Sequence, residues 1–335
     1  MSRRTVVGIW TEWAVGAGWT NEGMTRLLGF LIEGLAQNQK YMFRIVVNRA
    51  IYDEALADLK TLEAKNGMDF VLHTPAQSDP SDHADIEATL ALANSLDDVE
   101  GWISLYPYFE HALRLKKPVT TIFPDAIPIE FPMFGPGIWE EDGAHTQWRR
   151  RVARLLEGSS RIITFSQHIA QRHVQSIFDI PPDRISVVPH APPDLEGLLP
   201  FVKDRKRTPE SLAQAANILR AHARERGWGY LQNFPFEDVR FIVVSTQDRP
   251  TKNIALAAEA VRKLVRRDHF DIKMLTTAAI HSTAITWTRF PGMLDAEQLH
   301  VDILALHNLP RREHAALYHC ASLAVHPSLL EGGRG

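Results

Sequence analysis

Cysteine is almost missing from this chain: Cys320 is the single one among 335 residues. A lone cysteine excludes an internal disulfide, so a reducing compartment is the expected setting. It lies in the apolar stretch LYHCASLAV and reads as a small buried hydrophobe rather than a nucleophile. Long hydrophobic runs are missing too, and nothing approaches the roughly 20 apolar residues of a membrane span. The N-terminal MSRRTVVGIWTEW pairs two arginines with apolar residues, but Glu12 interrupts the run too early for a secretory signal. A cytoplasmic protein is expected. Charge of one sign is scarce: a net charge of −3 gives no global reason to expect nucleic acid as a partner. There is no fixed-period repeat and no low-complexity tract.

What is present is an ordinary globular composition, 45% hydrophobic and 23% charged, in a chain long enough for two cores. Strand-like and helix-like segments alternate through the first half. The strands are Thr5–Trp10, Phe43–Val47, Phe70–His73, Gly101–Leu105, Pro118–Phe123, Ser160–Phe165 and Ile185–Pro189. Helical spacing covers Met24–Gln37 and Asp53–Lys65, with Asp53 read as a cap. The stretch Asp194–Arg240 breaks the pattern and reads as a connection carrying an extra helix, Leu212–Arg226. Alternation then resumes with strands Arg240–Ser245, Ile272–Thr276, Val301–Ala305 and Leu323–Val325, and helices Ile254–Arg267 and Arg311–Cys320. Such alternation predicts parallel sheets with helices on both faces, here two doubly wound α/β units with a cleft between them. In these folds ligands sit at the carboxyl ends of the strands.

Two stretches carry residues suited to chemistry. In Ser245–Asn253 (STQDRPTKN) a strand runs into a helix, with Arg249 and Lys252 bracketing a turn stiffened by Pro250. A planar guanidinium and an ammonium at a helix N-terminus suit phosphate oxygens; the alternative is a charged surface loop. At the end of the chain, HPSLLEGGRG presents Glu331 next to Gly332, Gly333 and Gly335. A carboxylate accepts hydrogen bonds from sugar hydroxyls, and glycine amides approach phosphate closely; the alternative is a solvated turn. Glu331 follows the fourth strand of the second half as Arg249 follows the first, so both fall on one edge of one sheet.

The order DRPTKN, then LHNLPRREHAALYHCASLAVHPSLLEGGRG, resembles the C-terminal domain of the retaining glycosyltransferases of family 4. Their patterns there read LPxxELxxLYxxA and PSxxEGxG. In the first half, SSRIITFSQHIAQRHVQSIFDIPPDRISVVPHAPPDL is similar to a further passage of the same family. The resemblance is loose over nearly the whole chain and specific over residues 160–190 and 241–335.

That resemblance implies the GT-B fold: an acceptor-side domain over 1–193, a connection over 194–238 and a donor-binding domain over 239–335. It implies that Arg249 and Lys252 neutralise the donor diphosphate, that Glu331 contacts the donor sugar, and that Gly332 and Gly333 face that sugar and phosphate. Thr276 and Thr277, after the second strand of that domain, are expected near the nucleotide. The family's second acid, eight positions beyond Glu331, would fall past Gly335, so the second domain is expected to be incomplete. No metal is expected where two cations serve the diphosphate, and no metal-ligand cluster stands out. Where the family often has a histidine after the strand matching PVTTIF, this chain has Pro124 and Asp125; Asp125 serves either the cleft or a helix cap. Gly16 and Gly18 either let backbone approach phosphate or acceptor, or simply turn strand into helix. His190 stands where the family often has glycine, as a cleft residue or a satisfied surface histidine. The basic Arg149–Arg154 either lies on anionic lipid or forms a solvated face. The implied activity is transfer of a sugar from a nucleotide-diphosphate donor to a glycan or lipid-linked acceptor, in polysaccharide assembly. The alternative is a catalytically poor nucleotide-sugar binder.

Overall fold

Two parallel sheets organise the chain, described here from a computed structural model. The structure describes residues 4–12, 19, 23–36, 40–66, 70–76, 86–131, 144–190, 195–278 and 290–329. The chain divides into one unit running to His190 and a second from there on; residue 131 groups with the second.

Among the described residues the first unit holds seven strands: β1 (Thr5–Trp10), β2 (Tyr41–Val46), β3 (Phe70–His73), β4 (Gly101–Ser104), β5 (Val119–Ile122), β6 (Arg161–Thr164) and β7 (Ile185–Val187). Their spatial order is β3-β2-β1-β4-β5-β6-β7, every pairing parallel. The chain winds outward from β1 to β3, then crosses back to lay β4 on the other side of β1. That reversal is the topological switch point, the place where open parallel α/β sheets generally take their ligands. Gly8 in β1 is required by its neighbour: it pairs with Trp102 of β4, and a methyl group there would overlap the indole ring. Ile9, Trp10, Leu28, Ile32, Ile45, Trp102 and Phe123 build the core around these strands.

The second unit has β8 (Phe241–Val244), β9 (Lys273–Thr276), β10 (Ile303–Ala305) and β11 (Leu323–Ala324), ordered β10-β9-β8-β11 and again parallel. All four residues of β8 are buried, as expected for a strand covered on both faces. Its alternation divides them: Phe241 and Val243 join one core with Leu219 and Leu317, while Ile242 and Val244 join another with Ala258, Val261 and Leu294. The switch point here lies between β8 and β11.

Two local expectations need correction. Asp53 does not cap its helix, which spans Tyr52–Asn66; Asn48 does the capping work upstream, accepting from the Ile51 N–H at 3.2 Å. The stretch read as a connection is built into the second unit's core through Leu199, Val202, Leu231, Phe234 and Phe236. Its helix spans Pro209–Glu225, a turn earlier than hydrophobic spacing indicates. Thr208 and Ser211 form a reciprocal cap before it, at 3.2 and 2.9 Å, with proline at the first helical position. Cys320 is 8% exposed, and burial pushes its thiol up to about 12, which suits packing and not nucleophilic chemistry.

Candidate functional site

β8 delivers the chain to the carboxyl edge of the second sheet at Val244, and Ser245–Asn253 follows. Arg249 is extended, Pro250–Lys252 make one 3-10 turn, and the Lys252 N–H donates to the Arg249 carbonyl at 2.9 Å. Asn253 then adopts a left-handed conformation (φ 50°) and opens the helix Ile254–Arg266. Its side chain does not cap that helix. Instead Nδ2 donates to the Pro327 carbonyl at 3.3 Å, reaching the segment that follows β11. The same segment returns a bond, the Leu329 N–H donating to the Thr251 carbonyl at 2.8 Å. Thr251 lies between the two cations and is buried. Parallel pairing of β11 with β8 and these two bonds carry the chain, two residues short of Glu331, to the loop of Arg249 and Lys252. Glu331, Gly332 and Gly333 themselves lie outside the described residues, as do Gly16 and Gly18.

Arg249 is exposed and makes no ion pair among the described residues. Lys252 is half-buried. The helix behind them carries Lys263 and Arg266 in its last turn, where cations suit the dipole, and its positive end faces the loop. A guanidinium, an ammonium and a helix N-terminus at one strand end are donors of the kind that suit an anion.

The two threonines after β9 behave differently. Thr276 is fully buried; its hydroxyl donates to the Val244 carbonyl at 2.9 Å and accepts from the Ala278 N–H at 3.2 Å, so it is spent inside the fold. Thr277 is half-buried and turned the other way, its hydroxyl donating to the Thr246 carbonyl at 3.2 Å and lying 3.4 Å from Ser245 Oγ. Ser245 Oγ is also 2.6 Å from Nε2 of His314, in the first turn of the helix Arg311–Cys320, and that ring packs edge-on against Tyr318. The sequence reading missed His314. The available signal was its place in LPRREHAALY, where the family pattern has leucine.

In the first unit, Asp125 acts as a cap, Oδ1 accepting from the Ile127 N–H at 3.0 Å. His190 is exposed with its ring against Phe165, centroids 4.0 Å apart, and desolvation there pulls its pKa below the ordinary histidine value. Arg151 and Arg154 pair with Glu110 at 3.2 and 3.0 Å, while Val152, Leu155 and Leu156 on the same helix are fully buried. Glu130, His168 and His173 bring ligand-type atoms within 4.8 Å of one another. They do not suit a metal. His173 Nδ1 accepts the Ala126 N–H at 3.0 Å, which puts the ring proton on Nε2, the atom facing Glu130. No helix among the described residues is long and apolar enough to cross a membrane.

No protein-family model matches the chain, and no curated protein sequence matches it. Solved structures do. Sucrose-phosphate synthase from Thermosynechococcus elongatus aligns with TM-score 0.61 at 10% identity, over 98% of this chain and 77% of that one. HepE from Anabaena, solved with UDP and glucose, aligns with TM-score 0.59 at 12% identity, over 97% and 74%. A glycosyltransferase from Rickettsia africae aligns with TM-score 0.58 at 13% identity, over 98% and 74%. The fold is GT-B. The loop of Arg249 and Lys252 lies at the switch point of the second sheet, where topology by itself brings the ends of β8 and β11 together.

Proposed function

We propose that this chain is a retaining glycosyltransferase that takes a sugar from a nucleotide-diphosphate donor. One observation carries the reading: the loop of Arg249 and Lys252 and the segment leading into Glu331 are hydrogen-bonded to each other at the switch point of the second sheet. The solved HepE of the same fold holds UDP and glucose, which suits a donor of this class.

As the bond from the sugar to the diphosphate breaks, negative charge grows on the leaving phosphate. Fixed cations gain more from that charge in the transition state than in the ground state, so Arg249 and Lys252 lower the barrier. Glu331 accepts hydrogen bonds from the donor sugar, and the amides of Gly332 and Gly333 face it. Thr277, Ser245 and His314 border the edge and shape the donor's surroundings; Thr276 supports them from beneath. The first unit takes the acceptor, a glycan or lipid-linked sugar in polysaccharide assembly. Any peripheral lipid contact falls to Arg149 and Arg150, since Arg151 and Arg154 are paired with Glu110. With two cations on the diphosphate the reaction runs without a metal, so EDTA leaves turnover unchanged.

The test is nucleotide release from UDP-, ADP- and GDP-sugars by wild type and Arg249→Ala. Release from one donor class, lost in the variant, supports the reading. Melting-temperature shifts without release would make the chain a nucleotide-sugar binder, and neither signal would remove both.

A further inference from the structure

The first sheet has its own switch point, and a buried acid stands at it. Glu12 follows β1 on the carboxyl side, and its side chain is 9% exposed. Both carboxylate oxygens are held. The indole Nε1–H of Trp10 donates to Oε1 at 2.6 Å, and Nδ1 of His111 lies 2.7 Å from Oε2. His111 sits in the 3-10 turn Glu110–Arg114, on the loop leaving β4. The two residues therefore come from the segments that follow the two paired strands at the switch point.

The pairing fixes the histidine's chemistry. A carboxylate only accepts, so the ring proton is on Nδ1 and the Nε2 lone pair is left over. The His111 side chain is 39% exposed, and Nε2 has no partner among the described residues. Burial pushes the Glu12 carboxyl above its ordinary range, opposed by the bonds from His111 and Trp10. Tyr108, on the same loop, is 36% exposed and packs against Tyr106 and Phe109. An aromatic residue three positions before a fixed acceptor on one loop supplies the two chemistries of a pyranose ring, which offers C–H groups on one side and hydroxyls at its rim.

We propose that Glu12 and His111 are the hydroxyl-recognition pair of a pyranoside acceptor subsite, with His111 Nε2 accepting the sugar hydroxyl's hydrogen bond and Tyr108 stacking on the ring. His111 and Tyr108 touch the acceptor; Glu12 is a positioning residue. The assignment rests on the transferase reading for its name as an acceptor site, while the geometry of the pair stands apart from it.

The experiment is two-bond 1H–15N correlation of the histidines in the full chain, above the pH at which the ring titrates, with the His111 signal identified by His111→Gln. Wild type is expected as the Nδ1–H tautomer. Glu12→Gln keeps the shape but turns an amide N–H₂ toward Nδ1, so the ring is expected to flip to Nε2–H. Titration with the methyl α-glycosides of glucose, galactose and mannose is expected to move the Nε2 resonance for at least one of them. Glu12→Gln is expected to weaken that response by about tenfold, because Nε2–H no longer accepts the hydroxyl proton and the hydroxyl must turn to accept in its place. An Nε2–H tautomer in wild type, or no movement with any of the three glycosides, overturns the proposal. UDP-glucose, ADP-glucose and GDP-mannose binding by calorimetry separates the two ideas. If wild type binds no donor, the transferase reading falls while the tautomer and glycoside results still decide the pair.

Discussion

The two carboxyl edges solve opposite problems. At the first, the charged group is an acid taken out of water, and the fold gives each of its oxygens a donor before any ligand arrives. At the second, the charged groups are an exposed Arg249 and a half-buried Lys252, and Arg249 has no counter-ion among the described residues. The difference agrees with the ligand class proposed for each edge. A buried charge must be paired or it neutralises. A cation intended for phosphate gains most when it has no internal partner to give up. In the proposed roles, the acid at an edge for neutral hydroxyls is therefore held in advance, while Arg249 at an edge for an anion keeps its guanidinium for the ligand.

The sharpest way to break this contrast is Arg249→Ala. It is expected to weaken nucleotide-diphosphate binding by about 1.5–3 kcal/mol, roughly 10- to 150-fold, with the melting temperature unchanged. Calorimetry with the preferred nucleotide reads the first and a thermal scan the second; a large stability loss would mean that Arg249 has a structural partner after all.

Next in size is Glu237, the second unit's own example of a paired, mostly buried charge. Arg220 grips both its oxygens, at 2.7 and 2.9 Å, and those bonds hold the Glu237 carboxyl below its usual range. The folded state then binds fewer protons than the unfolded chain in the window below the unfolded value of about 4.3. This contribution is complete above that value and is lost as pH falls through the folded pKa. Glu237→Gln is expected to cost about 2 kcal/mol at neutral pH and to flatten the acid limb of the stability curve. Denaturant melts across pH check this, and an acid limb identical to wild type would contradict it.

Asn253 ranks below that. Asn253→Ala loses the bond to Pro327 and puts a side chain that favours right-handed backbone at φ 50°, for about 1–2 kcal/mol. Asn253→Gly keeps the conformation, so its smaller loss isolates the hydrogen bond. Equal losses in the two variants would sink the backbone argument. Ser245→Ala is the smallest, about 1 kcal/mol of stability from the lost bond to His314, with a much weaker effect on nucleotide affinity than Arg249→Ala.

The eleven strands among the described residues were legible as short β-branched and apolar runs between turns, most plainly β8, which is buried on both faces. Bringing the cationic loop and the segment after β11 to one sheet edge needed only strand order and chain direction, and the described residues follow that segment to Leu329. Side-chain direction was harder. Thr276 and Thr277 are adjacent and identical, yet strand alternation sends one hydroxyl into the core and the other to the edge. Caps were missed where the capping residue lies outside the hydrophobic pattern, as with Asn48 ahead of Asp53 and Thr208 ahead of Leu212. His314 and the pair Glu12–His111 join residues 69 and 99 apart, a proximity set by topology and not by any local motif.

The account depends on Arg249, Lys252 and Glu331 converging on one diphosphate sugar. A crystal structure with bound UDP, ADP or GDP tests this most directly. The account expects the β-phosphate within hydrogen-bonding distance of the Arg249 guanidinium and the Lys252 ammonium, with the Glu331 carboxylate facing the position of the sugar. A nucleotide seated elsewhere, or Glu331 on the far side of its sheet from Arg249, would contradict it.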